Sequence, residues 1–141
     1  MSHGRIRKLF SDKLLEYVTS TDSPKPLSYS FDNIKKNGPE SADYIEAHII
    51  PSDTFSDTLG GDHTAFIGMY QMTIVVQYNT GYVKVEKIVE HLQNAFKINK
   101  VFTDASGFSV QVISPIKTAE GKQSGIQWRV PCYFEYRSDT N

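Results

Sequence analysis

Cysteine is nearly absent. Cys132 stands alone in 141 residues, which excludes an internal disulfide framework and a cysteine-built zinc site and fits a reducing compartment. One-sided charge is absent as well: fifteen Lys and Arg against sixteen Asp and Glu leave a formal net charge of −1. That balance lacks the positive field of a dedicated nucleic-acid binder. No apolar run approaches the ~20 residues of a membrane-spanning helix, and Met1 to Phe10 lacks the continuous apolar stretch of a secretory signal. The expectation is a soluble intracellular product. Chemistry-bearing motifs are missing too, with no glycine-rich phosphate loop followed by Lys-Ser or Lys-Thr, no nucleophile elbow and no paired-histidine zinc motif. What remains has the length of one domain, 1–141, and a chain of this size buries roughly 68–70% of its unfolded surface without staples.

Hydrophobic periodicity divides that domain into elements. Ile6, Leu9, Phe10, Leu14, Tyr17 and Val18 recur at three- and four-residue steps, predicting an amphipathic helix over Arg5 to Val18. The Pro- and Ser-rich stretch Thr19 to Pro26 is a connection, Leu27 to Phe31 a short strand, and Lys35 to Ser41 a loop around Gly38-Pro39. Ile45, Ala47 and Ile49 alternate with Glu46 and His48, predicting a half-buried strand over Tyr44 to Pro51. Phe66, Tyr70, Met72, Ile74, Val76 and Tyr78 share one parity over Thr64 to Tyr78, a length that calls for a bend or bulge near Gly68. Val85, Ile88, Val89, Leu92 and Phe96 predict a second helix from about Tyr82, capped by Asn79 or Thr80. Phe108, Val110 and Val112 mark another strand, and the shared parity of Ile126, Trp128, Val130, Cys132, Phe134 and Tyr136 marks the last. Pro131 has no amide donor, so that strand is expected at an edge or a bulge where another subunit could approach. The sum is an α+β fold: a mainly antiparallel, mixed sheet of about four or five strands packed by two helices.

Few side chains suggest catalysis. His3, His48, His63 and His91 fall on four different elements, although a hairpin between the strands at Tyr44 and Thr64 would bring His48 toward Phe66, with His63 and Asp62 nearby. Those three residues are the candidates for a small metal-dependent hydrolase, set against the plainer reading of a solvated strand histidine. Asp53, Asp57 and Asp62 lack calcium-loop spacing. Cys132 and Trp128 read as core residues. Arg5, Arg7 and Lys8 read as the wet face of the first helix, with nucleic-acid contact as the alternative. The twelve-residue connection Ser52 to His63 is long against hairpin loops of about 2 to 5 residues. It joins acids to Phe55 and Leu59 and ends in Gly60-Gly61, a composition suited to ordering against another protein.

In order and spacing, the segments resemble the tail-terminator-like proteins of long-tailed phages and prophages. The resemblance runs through the amphipathic first helix, Ile49-Ile50-Pro51, Leu59-Gly60-Gly61 and the strand Gly68-Met69-Tyr70-Gln71-Met72-Thr73-Ile74-Val75-Val76. It continues through the Thr80-Gly81 turn, the helix ending in Phe96, Trp128-Arg129-Val130-Pro131 and the closing Tyr136-Arg137. It implies a structural protein, not an enzyme, with no catalytic residues, metal or cofactor. Such a protein forms a homo-oligomeric ring, hexameric by resemblance, that caps the tail tube, ends its polymerisation and meets head-completion proteins. It would work in the bacterial host cytoplasm during assembly and end in the virion tail, with no membrane and no direct nucleic-acid contact. Composition and expected exposure nominate Phe55, Asp57, Leu59 and Asp62 for a loop contact, with Arg5, Arg7, Arg129 and Arg137 as charge partners. A head-to-tail adaptor is the runner-up.

Overall fold

A computed structural model describes residues 2–18, 28–31, 43–55, 64–77 and 82–140. Among these residues two helices, α1 (Ser2–Val18) and α2 (Val83–Ala95), accompany eight strands. These are β1 (Ser28–Phe31), β2 (Tyr44–Phe55), β3 (Thr64–Gln77), β4 (Val101–Thr103), β5 (Ser109–Val112), β6 (Lys117–Thr118), β7 (Lys122–Ser124) and β8 (Gln127–Thr140). They form one sheet in the order β1-β2-β3-β8-β5-β4, with β6 and β7 pairing further along β8. The β1–β2 pair is parallel and every other pair antiparallel, so the mixed α+β class holds. The strand count exceeds the expected four or five because β4, β6 and β7 are two or three residues long, too short to show a two-residue period.

Two long strands form the centre, with β3 and β8 in register from Thr64↔Thr140 to Gln77↔Gln127. Their inward parity, Tyr70, Met72, Ile74 and Val76 against Val130, Cys132, Phe134 and Tyr136, joins Ile45, Ala47 and Ile49 of β2 beneath both helices. The helices contribute the residues that the periodicity marks: Ile6, Phe10 and Leu14 of α1, and Val85, Ile88 and Leu92 of α2, all buried. Phe10 sits at the middle of an aromatic cluster, with ring centroids 5.0 Å from Phe134, 5.1 Å from Tyr70, 5.6 Å from Phe102 and 5.7 Å from Tyr136.

Three expectations need correction. Pro131 does not mark an edge, since β8 lies between β3 on one side and β5, β6 and β7 on the other. Its carbonyl accepts a 2.9 Å hydrogen bond from Ala119 N–H. Amide and carbonyl of a strand residue point the same way, so the missing donor faces the interval between β6 and β7, where the ladder is already broken. The irregularity expected near Gly68 lies on the partner strand: Pro51 pairs with Gly68 and Asp53 with Ile67, leaving Ser52 as the extra residue. That bulge lets β2 run on to Phe55, which pairs with Ala65, so Phe55 belongs to a strand and the connection shortens to 56–63. Finally, α2 begins one residue after Tyr82, which is itself the N-cap and makes no side-chain capping bond. Asn79 and Thr80 lie outside the described residues.

Candidate assembly surfaces

Because both helices pack on one face, the other face of the sheet is lined by the opposite parity of each strand. Register places Ile50, Met69 and Glu135 in one row across β2, β3 and β8, and His48, Gln71, Tyr133 and Lys117 in the next. Ile50 is 44% exposed, Glu135 is exposed, and Met69 and Tyr133 are half-buried, so this face mixes apolar and charged groups. At one end of it, Arg129 donates to the Glu46 carboxylate and, at 3.3 Å, to the Tyr44 hydroxyl. Arg129 is level with Val75 and Glu46 with Thr73, so the pair bridges β3 above two residues only 1% and 5% exposed. At the other end Arg137 forks onto Asp139, with contacts of 3.0 to 3.2 Å. Half-exposed pairs of this kind contribute on the order of 1 kcal/mol or less, so they order the surface more than they stabilise the fold.

A second surface lies between α1 and the β4–β5 turn, a cleft of about 580 Å³ lined by Arg5, Lys8, Leu9, Asp12 and residues 103–106. Arg5 closes one side of it, donating to Asp104 Oδ2 at 2.9 and 3.2 Å and lying 4.4 Å over the Phe108 ring. Asp104 also accepts from the Ser106 hydroxyl and from the Ser106 and Phe108 amides. The Ser106 hydroxyl first, and then the backbone and Arg5 donors, hold its carboxyl below the ordinary range despite an opposing desolvation effect. Arg5 therefore ties α1 to the turn, and Arg7, one turn away from His3, is exposed on the same helix. His3 Nδ1 lies 2.8 Å from the Tyr136 hydroxyl in a hydrogen bond. Burial, and then the neighbouring Arg7 charge, lowers the His3 pKa; burial pushes the Tyr136 phenol up to about 12.

The nominated residues thus separate. Arg5 and Arg7 lie on the helical side, Arg129 and Arg137 on the opposite face of the sheet, and Phe55 at the end of β2. Asp57, Leu59 and Asp62 lie outside the described residues, as does His63. The proximity expected for a metal site is not what the hairpin register gives: His48 pairs with Gln71, while Phe66 pairs with Thr54. Five register steps along β3 separate those two positions, a distance of about 17 Å at ~3.3 Å per residue. Among the described residues no group of three or more His, Cys, Asp or Glu could hold a metal, and no helix is long and apolar enough to cross a membrane. Cys132 is buried in the core, where burial pushes its thiol up to about 11.

The described surfaces of this α+β domain carry paired charges beside exposed apolar side chains. Comparison with known proteins is specific. A family model described as phage tail terminator protein matches residues 5–136, nearly the whole chain. A solved structure 25% identical in sequence aligns with a TM-score of 0.79 over 98% of this chain and 96% of its own. No curated protein matches. The chain belongs to the phage tail terminator family, and its role is in phage tail assembly.

Proposed function

We propose that this protein forms a hexameric ring that caps the tail tube, ends its polymerisation and offers a surface to head-completion proteins. The observation that carries the reading is the family match over residues 5–136. The exposed sheet face with Ile50 and Glu135 supports it, because a capping subunit needs surfaces beyond its own core. In this reading Phe55, Asp57, Leu59 and Asp62, at and beyond the end of β2 in sequence, make the loop contact. Arg7 offers an exposed charge, while Arg5, Arg129 and Arg137 share guanidinium groups already anchored on this chain's carboxylates. The protein acts in the host cytoplasm during assembly and stays in the virion tail, as structure rather than as catalyst.

Sedimentation velocity over a wide concentration range, alone and with the tail-tube protein of the same phage, tests the ring. A species near six times the 15.9 kDa chain is expected. A chain that stays at 15.9 kDa under both conditions would overturn the reading in favour of an adaptor that binds singly.

A further inference from the structure

The two ends of α2 differ in shape and charge. At its start Tyr82 and Val83 are 72% and 62% exposed, a protruding apolar pair beside the first turn. Helix stability does not account for Tyr82, since an N-cap position favours a short polar side chain and this tyrosine caps nothing. Glu86, whose amide donates to the Tyr82 carbonyl at 2.9 Å, is exposed one turn further on.

The other end carries a cleft of about 330 Å³, lined by Gln93, Phe96, Lys97, Ile98, Pro115 and Ile116. Its floor is apolar, with Phe96 and Ile116 buried, and Ile98 forms a half-exposed wall at 49%. The cleft is pre-formed by backbone: Phe96 N–H donates to Leu92 O at 2.9 Å, and Asn99, with φ of 69°, turns the chain so that its N–H donates to Val112 O at 2.7 Å. A volume at the small end of the ~300–1,000 Å³ range of binding pockets suits one aromatic side chain better than an extended ligand. Lys97 stands exposed on its rim. Neither Glu86 nor Lys97 has an ion-pair partner among the described residues, whereas their neighbours Lys84 and Lys87 pair with Asp43 and Glu90.

We propose that Tyr82 and Val83 of one copy seat in the Phe96–Ile98–Pro115–Ile116 cleft of the next, with Glu86 facing Lys97. A helix of 13 residues spans about 20 Å, so knob and cleft lie too far apart for one subunit to satisfy itself. A contact between two different patches is heterologous and propagates head to tail, closing into a ring when the rotation between copies allows. The opposite charges on the two patches set the orientation, and the pre-formed cleft limits the ordering cost of binding. This inference rests on the ring reading above and names the contact that would close it.

The test compares assembly midpoints of the full chain by sedimentation velocity, with thermal melts as the folding control. Tyr82→Ser should keep or raise the melting temperature, because serine is the better N-cap, yet raise the assembly midpoint at least about tenfold, as loss of a buried aromatic anchor does. Ile98→Asp should act alike from the other side. Glu86→Lys and Lys97→Glu should each weaken assembly, and the double exchange should restore it. If the wild type forms rings and both Tyr82→Ser and Ile98→Asp leave the midpoint unchanged, this contact is wrong and the ring reading stands. If the double exchange does not restore what each single change loses, the Glu86–Lys97 pairing is wrong. A wild type that never assembles, with or without tube protein, overturns both.

Discussion

Replacing Gly68 with alanine probes the most crowded point of the sheet. A Cβ built there would lie 2.5 Å from the Tyr136 hydroxyl oxygen, 2.7 Å from the ring carbon that bears it and 2.7 Å from the Ile50 carbonyl oxygen. None of these can withdraw cheaply. The Tyr136 ring is wholly buried and its hydroxyl is held by His3, while the Ile50 carbonyl belongs to the strand pair just before the Ser52 bulge. Overpacking of this kind costs about 1–3 kcal/mol. Alanine recovers roughly 0.5–1 kcal/mol of the freedom that a strand glycine loses on folding, leaving a net loss on the order of 1–2 kcal/mol. For a domain of this size that corresponds to a fall in melting temperature of roughly 3–8 °C, read by calorimetry or circular dichroism. Tyr136→Phe should relieve Gly68→Ala only partly, because the ring and the Ile50 carbonyl remain. A Gly68→Ala protein that melts at or above the wild-type temperature would refute the argument that Tyr136 packs over this position.

Two further predictions concern the core. Phe10→Ala empties the centre of the aromatic cluster and should cost about 3–5 kcal/mol in urea unfolding; a loss below about 1 kcal/mol would mean that α1 is not packed there. Alkaline pH should destabilise the fold. Cys132 and Tyr136 ionise from 9.0 and 10.0 when unfolded but near 11 and 12 when folded, so both are neutral in both states only well below pH 9. Above it the unfolded chain loses protons first, and stability falls as pH rises toward 12. Urea midpoints should decline over that window, less steeply in Cys132→Ala, and Cys132 should resist thiol reagents until unfolding; a flat profile would contradict the burial of both groups.

Long elements were legible because repetition made them so. The helix around Phe10 and Leu14, the helix through Ile88 and Leu92, and the strands carrying Tyr70 to Val76 and Val130 to Tyr136 each repeat their period several times. The three shortest strands offer no repeat to read. Pro131 misled because the consequence of a missing amide depends on which side it faces, and that is set by Ala119 and the broken ladder, not by the strand's own sequence. The Ser52 bulge reverses the alternation after Pro51, so Asp53, Thr54 and Phe55 looked like loop when they continue the strand. Charge roles were less legible still: Arg129 finds Glu46 at a separation of 83 residues, and no local spacing announces that pairing. The α2 cleft was invisible for the same reason, since Ile98 and Pro115 meet only through the turn at Asn99.

Tube length tests the central claim most directly. The tail-tube protein encoded in the same phage or prophage would be polymerised with rising amounts of this chain, and the products measured by electron microscopy. The account predicts tubes that shorten as the ratio of chain to tube protein rises, with extra density at one end only. A length distribution indifferent to this chain, with bare tube ends, would contradict it.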